Sequence, residues 1–96
     1  MSERLPNALI IDEKDNVVVA IEPIAKGSQV SYRLKENLVT IVALDDITIY
    51  HKVARNDIGR GISVLKYGER IGEAMRDIPE GSHVHVHNIS NLKEDL

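Results

Sequence analysis

Valine and isoleucine in this 96-residue chain are gathered into short runs, and glycine, proline or acidic residues interrupt each run before a helix of useful length could form. β-Branched side chains are stiff at χ1 and pack well on a pleated surface, so runs of this kind favour strands. The pattern predicts strands over residues 8–11, 16–21, 29–34, 38–44, 51–54, 63–66 and 82–88. Only residues 69–77 (ERIGEAMRD) show helical spacing. Gly72 at their centre costs roughly 1 kcal/mol relative to alanine in a helix, so a loop or a single helical turn is expected there. The fold class that follows is all-β, a small barrel-like domain.

The chain has no Phe, Trp or Cys, so its core must be built from Ile, Val, Leu and Ala, with Tyr32, Tyr50 and Tyr67 as the only aromatics. Its length fits one domain over residues 1–96 with a modest core. Such a core often leans on a partner and is compatible with homo-oligomer formation. The lack of cysteine excludes disulfide stapling and fits a reducing compartment. A formal net charge of −3 with both signs interspersed lacks the basic stripe of a nucleic-acid binder. No apolar run is long enough to cross a bilayer, and the start MSERLPNALI lacks the features of a secretion signal. The expectation is a soluble cytoplasmic protein with no nucleic-acid or membrane partner.

A loose pattern, I-x-x-G-x-x-V, occurs as Ile24-Gly27-Val30, Ile58-Gly61-Val64 and Ile78-Gly81-Val84. Each occurrence places an apolar anchor before a tight reversal, a glycine where φ can be positive, and an apolar residue where the next strand begins. The unequal spacing, 34 and then 20 residues, is wrong for a solenoid, so the copies read as recurring turns within one domain.

Three of the four histidines fall in the run Gly81-Ser82-His83-Val84-His85-Val86-His87-Asn88. In an extended strand His83, His85 and His87 would share one face and Val84 and Val86 the other. Imidazole suits both metal ligation and proton transfer near neutral pH, which makes that face a candidate active-site edge; the alternative is a solvated polar strand surface. A second segment, Lys66-Tyr67-Gly68, ends a strand with a long cationic donor fit for a carboxylate and with a phenol, or is a solvated strand end beside a core aromatic. His51 stands alone before Lys52-Val53-Ala54, as a structural histidine or a member of the same site. No nucleophile motif, phosphate loop or cysteine zinc site is present in the sequence.

Taken together, these segments resemble the small subunit, or N-terminal SAF domain, of the altronate and galactarate dehydratase family, which includes the small subunit of sulfolactate sulfo-lyase. The matching features are K-D-N-V-V-V-A at residues 14–20, H-K-V-A at 51–54, K-Y-G-x-x-I-G-x-A at 66–74 and D-I-P-E-G-S-H-V-H-V-H-N at 77–88. They put the domain core at about residues 14–88, with short tails. Two departures stand out: Arg55-Asn56-Asp57 follows H-K-V-A, and Tyr50 replaces the glycine usual before the first histidine.

The resemblance implies a β-clip fold of the SAF type. It also implies a lyase that dehydrates a sugar acid to a 2-keto-3-deoxy acid, with a divalent metal, commonly iron, held mainly by a large catalytic subunit. On that basis the chain is expected to be a free-standing small subunit, inactive alone. Its catalytic residues would be His85 and His87, which are also the expected metal ligands, with Lys66, Tyr67, Asn88 and His51 binding substrate. The alternatives are a sulfolactate sulfo-lyase small subunit and a non-catalytic lid or sugar-acid-binding module.

Overall fold

A computed structural model describes residues 5–90, and among these there is no helix. Nine strands form: β1 (Ala8–Leu9), β2 (Val17–Ala20), β3 (Gln29–Leu34), β4 (Asn37–Val42), β5 (Lys52–Ala54), β6 (Ser63–Lys66), β7 (Glu69–Ala74), β8 (His83–Val84) and β9 (Ile89–Ser90). They make a four-stranded sheet in the order β1-β2-β5-β8, the hairpin β3-β4 and a three-stranded sheet β6-β7-β9, all antiparallel. The all-β class and the β-clip architecture therefore hold.

Two elements differ from the sequence expectation. The segment beginning at Glu69 is a full strand, β7, and not a loop or helical turn: Gly72 pairs with Val64 beside a register shift between Val64 and Leu65. A bulge of this kind accommodates a glycine that would weaken a helix. The strand expected over residues 82–88 ends at Val84, and a turn takes over from His85 to Asn88.

The recurring turn motif is longer and more frequent than the three-copy pattern. The sequence A-x-x-D/P-I-x-x-G/Y-x-x-V runs from Ala20 to Val30, Ala43 to Val53, Ala54 to Val64 and Ala74 to Val84. In every copy the Ala, Ile and Val are buried. The G/Y position has positive φ each time: 88° at Gly27, 69° at Tyr50, 84° at Gly61 and 91° at Gly81. Copies pair through Ile24 with Ile47 and Ile58 with Ile78, each pair exchanging two backbone hydrogen bonds of 2.8–3.0 Å.

Residues 20–53 and 54–84 are consequently two versions of one module. The matches extend to individual bonds: Gly27 N to Ala43 O answers Gly61 N to Ala74 O, and Tyr50 N to Ala20 O answers Gly81 N to Ala54 O. Lys26 N donates to Asp46 Oδ1 as Arg60 N donates to Asp77 Oδ1. Each module has its own apolar cluster, one around Val30, Tyr32, Ile47 and Val53, the other around Ile58, Val64, Ile71 and Val84. β2 joins them, because alternation sends Val18 and Ala20 into the first cluster and Val17 into the second.

The Asp15-Asn16 pair fixes the start of β2 against the second hairpin. Asp15 is buried, and its carboxylate accepts from Asp12 N (3.1 Å), Tyr67 N (3.0 Å) and Gly68 N (2.8 Å). Asn16 Nδ2 donates to Ser63 O and its Oδ1 accepts from Leu65 N. The K-D-N segment is thus a structural buckle.

Candidate functional site

Both modules end in a reversal that delivers histidine to one place. His51 follows the strained Tyr50 and lies beside the end of β2, where Ala20 N donates to His51 O at 2.9 Å. β8 pairs with β5 in a register that sets His83 opposite Val53. His85 then enters a turn organised by Asn88, whose Oδ1 accepts from His85 N (3.0 Å) and whose Nδ2 donates to His83 O (2.9 Å). Asn88 is buried, and both polar atoms of its side chain are used in holding this turn.

The rings converge. His51 and His85 stack at 4.1 Å between centroids and 11° between planes, and His83 lies 5.1 Å from His51 and 5.5 Å from His85. His51 Nδ1 and His83 Nε2 are 2.9 Å apart and share a hydrogen bond. His87 is exposed and sits at the rim, tilted 35° against His83 with centroids 5.2 Å apart.

Each of His51, His83 and His85 offers a ring nitrogen within 4.8 Å of the others. His85 Nδ1 is buried and has no hydrogen-bond partner. A buried imidazole nitrogen without a partner is costly unless something else takes its lone pair or proton. Burial, then the neighbouring imidazoles, His51 foremost, hold the pKa of His83 down at about 4. Burial also lowers that of His85, followed by His51, the Lys52 ammonium and His87. His83 is therefore neutral at pH 7, the form a metal ion requires. Orphaned nitrogen, spacing and protonation state together fit a divalent cation held by His51, His83 and His85.

The residues singled out in the sequence fall in two places. His51, His83, His85, His87 and Asn88 come together. The convergence does not depend on strand alternation, because the chain turns after Val84. The trio with mutually close donor nitrogens is His51, His83 and His85, whereas His85 and His87 were the ligands expected. Lys66 and Tyr67 lie elsewhere: Tyr67 N and Gly68 N are bound to Asp15 at the start of β2, while His51 lies at its end. There Lys66 Nζ stands 4.9 Å from the Tyr67 ring centroid, and the ring is exposed rather than part of the core.

Two residues near the cluster were missed. Lys52 is buried and acts electrostatically on His85. Asp45 accepts from His83 N at 2.9 Å and fixes the entry to the histidine run. Lys52 had a signal in its place beside His51, while Asp45 reads in sequence as an ordinary turn residue.

A family model of the altronate/galactarate dehydratase SAF domain matches residues 6–92. The chain belongs to this SAF domain family. It is 42% identical over 82 residues to altronate dehydratase of Escherichia coli (strain K12) and 41% identical over 86 residues to that of Bacillus subtilis (strain 168). Those matches cover 85% and 90% of this chain but only 16% of either relative. The subunit alpha of (2R)-sulfolactate sulfo-lyase from Chromohalobacter salexigens is 32% identical over 88 residues, covering 88% of this chain and 94% of that protein. The SAF domain thus occurs both as a small part of a long chain and as nearly all of a short one. Among the described residues no helix is long and apolar enough to cross a membrane.

Proposed function

We propose that this chain is the SAF component of a lyase that dehydrates a sugar acid, and that its histidine cluster forms one wall of an active site whose other walls belong to a larger polypeptide. The observation that carries this reading is the trio His51, His83 and His85 with the orphaned Nδ1 of His85. The names of the relatives supply the reaction class: two are altronate dehydratases, most of whose length lies outside the match.

Dehydration of a hydroxy acid removes the weakly acidic proton next to the carboxylate. The bond to the neighbouring hydroxyl breaks, water leaves, and the enol tautomerises to a 2-keto-3-deoxy acid. A divalent ion such as iron on His51, His83 and His85 would supply charge stabilisation to the carboxylate and the developing enediolate. His87, exposed at the rim beside His83, would carry a proton between substrate and solvent. Asn88 positions the cluster by holding its turn. An alternative is favoured by the 94% coverage of the sulfo-lyase subunit alpha: the same wall would then serve elimination of sulfite from sulfolactate.

Metal binding is tested on the chain itself with Co²⁺, whose visible spectrum reports nitrogen ligation. We expect one ion per chain in the wild type and at least a tenfold loss of affinity in His51→Ala, comparable to the 10- to 100-fold effects of disturbing a metal shell. Absence of binding by the wild-type chain would sink the metal-site reading. In the complex with the large polypeptide, His87→Ala should lower kcat with little change in KM if His87 transfers a proton. A change confined to KM or to assembly would identify a lid instead.

A further inference from the structure

Against the histidine cluster lies a cleft of about 280 Å³ walled in part by Asp45, Arg76, His83, His87 and Asn88. It falls just below the usual range of small-molecule sites, a size suited to a small acid. Arg76 is its one guanidinium. Nη2 of Arg76 donates to His87 O at 2.9 Å, which ties the side chain to the histidine turn. A guanidinium carries five N–H donors in a planar fork, so one bond to a carbonyl leaves most of the fork available. Among the described residues Arg76 makes no ion pair. Two carboxylates also stand in the cleft wall, each with one oxygen bonded to backbone: Asp45 Oδ2 accepts from His83 N and Asp77 Oδ1 from Arg60 N, both at 2.9 Å. Arg76 beside His87 is thus the cationic corner of the cleft.

We propose that Arg76 binds the acidic group of the substrate, the carboxylate or sulfonate of a small hydroxy acid, in this cleft beside His83 and His87. The inference rests on the reading of the histidine cluster as one wall of a lyase site, and it gives the acid a fixed place there. The proton to be removed is next to the carboxylate, so a carboxylate anchored on the arginine that also holds the His87 carbonyl brings that carbon to the proton-carrying side of the cluster. The sequence expectation had placed the acidic group on Lys66, which the fold puts at the far end of β2 from His51. Arg76 carries no motif signal; it follows Met75 in a connection that looks like an ordinary turn.

The test uses the full ¹⁵N-labelled chain, with and without Zn²⁺, titrated with D-gluconate and with sorbitol, which has a similar hydroxylated chain but no acid. Isethionate, a hydroxylated sulfonate, forms a third arm. Gluconate or isethionate should shift the Arg76 Nε–H signal saturably in at least one of the two metal states, and sorbitol should not. Arg76→Gln should weaken that binding roughly tenfold or more, with Arg76→Lys in between because it keeps the charge and loses the fork. The amide signals of His85 and Asn88 in ligand-free Arg76→Gln show whether the turn has kept its place. If they move, the comparison of gluconate with sorbitol on the wild type decides alone. Equal responses to gluconate and sorbitol, or unchanged anion affinity in a correctly folded Arg76→Gln, would overturn the proposal. Zn²⁺ binding is read separately from the histidine ring signals, so loss of the metal site and loss of the anion site are distinct results.

Discussion

Residues 20–53 and 54–84 share a backbone plan down to individual hydrogen bonds, yet they end differently. The first module closes on Tyr50-His51, the second on Gly81-Ser82 followed by His83 and the turn to Asn88. The scaffold is doubled while the histidine cluster is single, because the histidines gather at the one seam where both closing turns meet across β5 and β8. A repeated fold can thus carry an asymmetric cluster: the buried Ala, Ile and Val positions of the motif stay constant, while the residues between the left-handed position and the Val differ, His51-Lys52 in one module and Ser82-His83 in the other.

The sharpest way to break this equivalence is at the glycines. Gly61 has open space where a Cβ would stand, so Gly61→Ala should cost only the left-handed conformation, about 1 kcal/mol. A Cβ on Gly81 would run into the carbonyl oxygen of Val42 and press on the Leu44 side chain. Gly81→Ala should therefore lose about 3 kcal/mol or more in urea denaturation. Equal losses at the two sites would show that Gly81 is needed for its φ alone and that the modules approach less closely than described.

The histidine seam is expected to make stability depend on pH. His83 titrates at about 4 in the folded chain against an ordinary 6.5, so between those values the unfolded chain binds the extra proton. Its contribution is complete above pH 6.5, declines as pH falls toward 4 and changes no further below that. Urea midpoints of the wild type and His83→Gln, measured from pH 7.5 to 4, should converge on the acid side over this window. A constant difference between them would contradict the lowered pKa.

The smallest effect is at Tyr50, where a tyrosine occupies the left-handed position that glycine fills in the three sibling turns. Its side chain is 70% exposed, so burial within this domain does little to offset the strain. Tyr50→Gly should raise stability by roughly 0.5–1 kcal/mol, the left-handed penalty less the extra chain entropy of glycine. Loss of stability would mean that the ring makes contacts that the domain needs.

Much of this molecule is legible in its residues. β6 spans the residues expected and so does β3, because a short apolar-bearing run and flanking turn formers point the same way. β7 was hidden because Gly72 and the polar residues around it resemble a broken helix, and only the pairing with β6 and β9 reveals a strand. The fourth turn copy was hidden by Tyr50, since a search keyed to glycine passes over a tyrosine forced into the same φ. The histidine row was legible as a group of imidazoles but not as a geometry. Alternation describes a strand, whereas Asn88 bends this one after two residues, and His51, 32 residues earlier, enters only through the register of β5 with β8. Arg76 and Asp45 gave no signal, because a cleft is made by elements whose meeting no local pattern encodes.

The bond between His51 and His83 spans 32 positions of chain and two closing turns. During synthesis on a ribosome, His51 emerges without its companions, and a cation meeting it then finds a single imidazole and a weak hold. Only when His83 and His85 have folded back beside it are the three imidazoles of the proposed metal site together. Capture of an ion would accordingly be a late event in maturation, and a loaded molecule would be one that has already finished folding.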